Sequence, residues 1–326
     1  MSQAFHSTRL FPKNSGADAY VLTGLAAKCD WVILSDNCLP FCSLRKLITS
    51  KPRTIFLSLR NLRAALPFFV NEVLPQLRTP FVLISGSEDV TLPNQVDKRW
   101  APLDAEERAL INKVVRTPTL IRWFVENLDE QVSYKMRPLP LGMVYPDSKP
   151  GFIEPSKVKS PSDRPLSVLC AHRVRDGAQW QKRKQVSRLA QTAWTSFCNV
   201  LNDEVSEQAF IEQLQSNSFV LCVQGGGLDP SPKAWLALYH GCIPIIESSA
   251  LDEAYQQLPV VIVQQWNEDA ISPSQLLKWR DERAEQFIGQ KSLSNLYHKL
   301  SLDYWWGQIT QRILPFADYV DDRSHQ

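Results

Sequence analysis

The sequence has no CxxC pair among its seven cysteines, and their odd number prevents a complete disulfide set. Cys29, Cys38, Cys42, Cys170, Cys198, Cys222 and Cys242 sit mostly inside apolar runs. Neither a disulfide framework nor a zinc knuckle is expected; buried free thiols in a reducing compartment are. No apolar run approaches the roughly 20 residues of a membrane helix, and the opening stretch MSQAFHSTRLFPKN is too polar for a signal peptide. Charge of one sign is not in excess either. With 36 basic and 34 acidic residues the net charge is +2, which argues against a general nucleic-acid binder while leaving room for a local basic cleft. His6, His298 and His325 have no acidic or cysteine neighbours at ligand spacing, and Asp318, Asp321 and Asp322 near the C-terminus match a metal-binding DxD only loosely. No metal site and no cofactor are expected. These absences point to a soluble, cytoplasmic protein with no integral membrane segment and no nucleic-acid partner.

What remains is a chain of 326 residues, 44% hydrophobic, long enough for two domains. In the first half, YVLTG, DWVILSD, TIFLSL and FVLIS read as strands. NLRAALPFFVNEVLPQL has helical spacing, limited or kinked by Pro67 and Pro75. DAEERALINKVVR is a helix with an acidic start and a basic end. The stretch from Pro146 to Pro165 is dense in proline, serine and charge and reads as a linker. Beyond it LSVLCAH, SFVLCVQ, CIPIIES and PVVIVQQW read as strands among helices, and the chain from Ser272 is helical. The expected architecture is α/β, with two Rossmann-like domains facing a cleft. Residues 1–148 form the N-terminal acceptor-side domain, 149–165 the linker, and 166–326 the C-terminal domain with its helical tail. Ligands of such sheets bind at the carboxyl ends of the strands.

One turn stands at such an end. After SFVLCVQ come Gly225, Gly226 and Gly227, which permit positive φ and close approach of a ligand to the backbone. A helix is expected to open near Pro232 with Ser231 as its cap. With Lys233 beside it, that helix start is suited to a phosphate. The turn is neither a Walker motif nor a GxGxxG fingerprint, and a tight turn that merely needs glycine competes with the phosphate reading. His172 and Arg173 follow the LSVLC strand and belong at the same edge.

The block GGGLDPSPKAWLALYHGCIPIIESSALDEAYQQLPVVIVQQW resembles the nucleotide-sugar-binding region of exostosin-like glycosyltransferases, which have a GT-B fold. FVLISGSEDVTLP, RWFVENLD and RPLPLGMVY are similar, more weakly, to the acceptor-side domain of such proteins. The likeness covers about half of the chain in disconnected blocks. It implies a metal-independent glycosyltransferase of glycan biosynthesis, moving a sugar from a nucleotide-sugar donor to a hydroxyl of a glycan or other acceptor. It also implies a donor role for Arg183, because the resembling proteins often carry an arginine early in that helix. Lys182 and Lys184 beside it read as a solvated face. Many members place a glutamate where this chain has Leu236, to bind the donor ribose. Asp229 or Glu247 would then replace that contact, or the donor is held differently. Alternatively the chain is a catalytically inactive homologue that binds a nucleotide or glycan.

Inverting glycosyl transfer also needs a base for the acceptor hydroxyl. Glu88 and Asp89, in the loop after FVLIS, are the candidates, on the expectation that partial burial raises the carboxylate pKa. A turn or helix-cap role competes with that reading, and Asp36 is an alternative at a comparable strand end. His240 reads as a helix C-terminal cap. Trp100, Trp123, Trp266, Trp305 and Trp306 read as packing ahead of sugar platforms.

Overall fold

The computed structural model describes residues 9–10, 16–37, 41–143, 157–230 and 232–311. Cys38, Ser231, the linker residues 149–156 and the acidic tail from Asp318 lie outside the described residues. The chain divides into two compact units. One runs to Pro146 and takes in the segment from Leu302 onward; the other spans Asp147–Ser301.

In the first unit β1 (Trp31–Asp36), β2 (Phe41–Leu47), β3 (Thr54–Ser58), β4 (Phe81–Gly86), β5 (Leu120–Glu126) and β6 (Met136–Leu139) form one sheet in the order β2-β1-β3-β4-β5-β6. Only β2 is antiparallel to its neighbour. Every residue of β1, β3 and β4 is buried, so the apolar residues of these strands run consecutively without polar alternation, as two-sided burial requires. The β2 stretch, with Ser43, Arg45 and Lys46, has no such run and is not predicted by the hydrophobic pattern. It occupies the edge beside β1. YVLTG, by contrast, forms no strand: Val21 is exposed and Gly24 opens α1 (Gly24–Lys28).

Asn61 caps α2 (Leu62–Phe68), its side chain accepting from the Ala64 amide at 3.2 Å. Pro67 lies inside α2 and removes a backbone donor. The helix widens directly after it, over Phe69–Val73. A reciprocal box closes the start of α3 (Ala105–Arg116). Asp104 accepts from the Glu107 amide at 2.8 Å, and Glu107 accepts from the Asp104 amide at 2.9 Å.

The second unit holds β7 (Val168–Cys170), β8 (Cys198–Val200), β9 (Phe219–Leu221), β10 (Ile243–Glu247) and β11 (Val261–Val263). They form a wholly parallel sheet in the order β11-β10-β9-β7-β8. Its helices are α4 (Gln181–Gln191), α5 (Glu207–Ser216), α6 (Lys233–Tyr239), α7 (Asp252–Tyr255), α8 (Pro273–Arg283) and α9 (Gly289–Lys299). The last helix, α10 (Leu302–Thr310), groups with the first unit, where Asp303 pairs with Lys28 at 3.2 Å. Both sheets are α/β and Rossmann-like, and they share a strand order. The chain steps outward from the first strand to the second, then crosses back to lay the third on the first strand's other side. The order therefore reverses between β1 and β3 and again between β7 and β9.

A buried arginine fastens the opposite edge of the second sheet. Arg164 donates to the carbonyls of Leu214 (2.7 Å) and Asn217 (3.3 Å) at the end of α5, and to His240 (2.7 Å) at the end of α6. A fourth bond goes to Lys159 O at 2.8 Å. The Leu214, Asn217 and His240 carbonyls lie at helix C-termini, where intrahelical partners run out, so the guanidinium serves as a shared C-terminal cap. No helix among the described residues is long and apolar enough to cross a membrane.

Candidate functional site

The reversal point of the second sheet falls between the ends of β7 and β9. β7 runs out into Ala171, His172 and Arg173, and β9 into Cys222 and the glycine turn. Lys233, the first residue of α6, reaches across and donates to the Ala171 carbonyl. Arg183, in the first turn of α4, donates to Gln224 O (3.1 Å), Val223 O (3.4 Å) and Arg173 O (3.2 Å). His172 Nε2 lies 3.1 Å from Arg183 O and 3.0 Å from Ser187 Oγ. Since a carbonyl only accepts, the Nε2–H tautomer satisfies it, and Nδ1 then faces Cys170 Sγ at 3.9 Å. Lys233, Arg183 and His172 are thus brought together at the edge where parallel sheets bind ligands.

The glycines differ from expectation. The space above Gly225 is taken by the protein's own arginine: a Cβ there would stand 2.8 Å from Arg183 Cζ and 3.3 Å from the Trp180 ring. Gln179 also donates to Gly225 O at 2.6 Å. Close approach at Gly225 is therefore by Arg183, and not by a ligand. Gly226 is half-buried, and Gly227 has φ +67°, a conformation that favours glycine. The helix start differs too. Pro232 occupies the cap position of α6 without a side-chain cap bond, and α6 is only seven residues long.

The remaining residues expected here have partners elsewhere. Asp229 is buried and accepts from the Tyr255 hydroxyl, whose ring packs edge-on against Trp235 at 5.8 Å. Arg173 pairs with Glu204 at 2.6 Å on the surface. Glu247, at the end of β10, pairs with Lys182 and accepts from the Trp266 amide at 3.2 Å. Lys182, read from the sequence as solvated, also donates to Gln224 Oε1 at 2.8 Å. It belongs to the cluster, whereas Lys184 pairs with exposed Asp176. Leu236 is buried in α6. Trp180 and Gln179, which the sequence did not single out, back the site. The Trp180 ring centroid lies 5.2 Å from both the Arg175 and the Arg183 guanidinium.

Burial pushes the Lys233 ammonium down to about 8. Arg183 adds to that shift, while Cys222 and Cys170 oppose it. Cys170 moves below its ordinary value because Cys198 donates to its sulfur, against the effect of burial; Lys233 adds to the shift, and so does His172 when Nδ1 also carries a proton. Among the described residues no group of three His, Cys, Asp or Glu side chains could hold a metal ion. The basic side chains of Lys233, Lys182 and Arg183 gather at this edge with Glu247 beside Lys182, an arrangement that favours an anionic group.

In the first unit the carboxylates expected as bases are held by arginines. Arg9 pairs with Asp89, with Glu88 at 3.5 Å and with buried Glu126 at 3.6 Å, and Arg99 reaches Asp89 at 2.8 Å. Burial alone would raise the Asp89 pKa; Arg9 and Arg99 overcome it and hold the carboxyl at about 2. The expected upward shift is therefore reversed, and Asp89 is a poor proton acceptor at neutral pH. Asp36 lies at the end of β1 with Arg60 at 3.8 Å. Sequence alone gave no sign of the Arg9 cluster, whose members lie about 80 residues apart. No protein-family model matches the chain, and no curated protein matches it.

Proposed function

We propose that the chain is a two-domain, GT-B-like glycosyltransferase of the exostosin-like kind. In this reading the second unit holds a nucleotide-sugar donor at the reversal point of its sheet, and the sugar passes to a hydroxyl of a glycan or other acceptor. The convergence of Lys233, Arg183 and His172 on the ends of β7 and β9 carries the reading. Departure of a nucleoside diphosphate leaves negative oxygens that a preformed cationic edge stabilises. Lys233 and Arg183 supply that charge, Lys182 and Glu247 flank it, and Gly226 and Gly227 offer backbone beside it. As the bond from sugar to diphosphate breaks, the acceptor oxygen bonds the sugar and its proton passes to a base. Asp89 is not suited to that last task.

A second reading has specific support. Buried Leu236 replaces the ribose-binding glutamate of the resembling proteins, and Asp89 is tied to two arginines. Both fit a homologue that binds a nucleotide or glycan without turnover. A thermal-shift screen of common nucleotide sugars and free nucleotides tests binding, since a ligand at a hundred times its Kd stabilises by about 2.7 kcal/mol. Release of nucleoside diphosphate over a panel of hydroxyl acceptors tests transfer. A shift with release supports the transferase, and a shift without release the binding protein. No shift with any nucleotide overturns both.

A further inference from the structure

Cys170 ends β7 and Cys198 opens β8. In the parallel register Val168 faces Cys198, and Cys170 faces Val200. The two cysteines therefore lie on one face of the sheet, a single pleat apart on neighbouring strands. The Cys198 thiol donates to the Cys170 sulfur, so the sulfurs are within hydrogen-bonding reach of each other. Cys170 Sγ also lies 3.9 Å from His172 Nδ1. Cys170 is 2% exposed, whereas Cys198 is half-buried on the strand that forms the sheet's edge.

The pair differs from the other described cysteines. Burial pushes the Cys29, Cys42, Cys222 and Cys242 thiols up, as befits inert thiols packed in a core. Cys170 moves the other way, chiefly through the hydrogen bond from Cys198. One proton then serves both sulfurs, so the pair gives up its other proton readily. The thiolate is the reactive form of cysteine. Transfer of the remaining proton along the hydrogen bond places that thiolate on Cys198, the more accessible of the two.

We propose that Cys170 and Cys198 are a redox-active dithiol, which hydrogen peroxide closes to a disulfide. The Cys198 thiolate attacks one peroxide oxygen and the O–O bond breaks. Hydroxide leaves, takes a proton from solvent to become water, and Cys198 is left as a sulfenic acid. The Cys170 sulfur then bonds the Cys198 sulfur, the S–O bond breaks, and the Cys170 proton leaves with the hydroxide as a second water. Two thiols are oxidised by two electrons and one peroxide is reduced to two waters. A disulfide holds its Cα atoms within about 6.8 Å, so β8 must draw in towards β7. It is a three-residue strand with a sheet neighbour on one side only. The pull falls on the end of β7, where the Ala171 carbonyl holds Lys233 and the His172 ring meets α4. Oxidation also removes a thiolate that favours the Lys233 cation. The dithiol thus couples oxidation to the basic edge, and only this coupling rests on the donor reading.

Peptide mapping by mass spectrometry tests the dithiol on the folded full chain. The chain is treated with equimolar hydrogen peroxide, then alkylated and digested without reductant. A peptide pair joined through Cys170 and Cys198 is expected, two hydrogens lighter than the reduced peptides and released by dithiothreitol. Cys242→Ser should form the same link, and Cys198→Ser should form none. The proposal is overturned if Cys170 and Cys198 stay reduced while other cysteines react. It is equally overturned if oxidation runs on to sulfinic acid at either residue without a link. Calorimetric titration with nucleoside diphosphates near pH 8 tests the coupling: the oxidised chain should bind several-fold more weakly, with affinity restored by dithiothreitol. Equal affinity of the two forms would overturn the coupling. Should no nucleotide bind the reduced chain, the donor reading fails, while the mapped disulfide decides the dithiol independently.

Discussion

The guanidinium of Arg183 lies across the backbone of Gly225, so close that a Cβ on the glycine would stand 2.8 Å from Arg183 Cζ. Three carbonyls hold that guanidinium in place, so it cannot retreat without losing bonds. Gly225→Ala is expected to destabilise the protein by about 1–3 kcal/mol, the usual cost of overpacking. It should also weaken nucleotide binding by moving Arg183. Urea denaturation and the thermal-shift screen check the two effects; an unchanged midpoint would show that the guanidinium is free to move.

Lys233 gives the site a pH dependence. Its folded-state pKa, about 8, lies below the ordinary lysine value near 10.4. Between those values the unfolded chain binds more protons than the folded one, so this residue makes stability rise with pH from about 8 to about 10.4. Anion binding has the opposite trend, since the cation is lost above pH 8. Nucleotide affinity should therefore fall as pH rises through about 8, and Lys233→Met should flatten both profiles. Calorimetric titration from pH 6 to 10 reads the binding slope directly.

Asp89 predicts behaviour in acid. Its pKa is depressed to about 2, so its contribution is fully present above pH 4 and is lost as pH falls through about 2. The shift corresponds to on the order of 2 kcal/mol. Asp89→Asn should lose that stability at neutral pH and show a shallower decline between pH 4 and 2. Because the carboxylate stays ionised above that window, no step in any activity profile between pH 5 and 8 should trace to it.

Arg164 is a sensitive structural position outside the site, with four hydrogen bonds to backbone carbonyls. Replacing it with methionine strips three buried carbonyls and the half-buried Lys159 carbonyl of one donor, and each buried carbonyl left unpaired costs about 1–3 kcal/mol. Allowing for partial rescue by water, a loss of about 3–5 kcal/mol is expected from chemical denaturation. Gly241→Ala should act on the same joint: with φ +71°, its Cβ would stand 2.6 Å from Arg164 Nη2 and 2.9 Å from Lys159 O.

Much of this architecture is legible in the chain. The apolar runs WVIL, FVLI and IPII lie in strands buried on both faces, and residue type alone reports that. Asp104 and Glu107 announce the start of α3 because capping acts over three residues. The position of the glycine turn after β9 follows from the same short-range signals. β2 and β8 escape them: Phe41–Leu47 is an edge strand with polar residues, and Cys198–Val200 is an edge strand that is half-exposed along its length.

Which charges meet is a different matter. Lys182 finds Glu247 from 65 residues away, and Arg9 finds Asp89 from 80. Nothing local distinguishes these side chains from solvated ones. The sequence by itself determined the elements and their alternation, because propensity, capping and hydrophobic periodicity act between near neighbours. Only the tertiary structure decided that Arg183 would cover Gly225 and that Asp89 would be held ionised. Those outcomes depend on the strand order and on how far each buried group is removed from water.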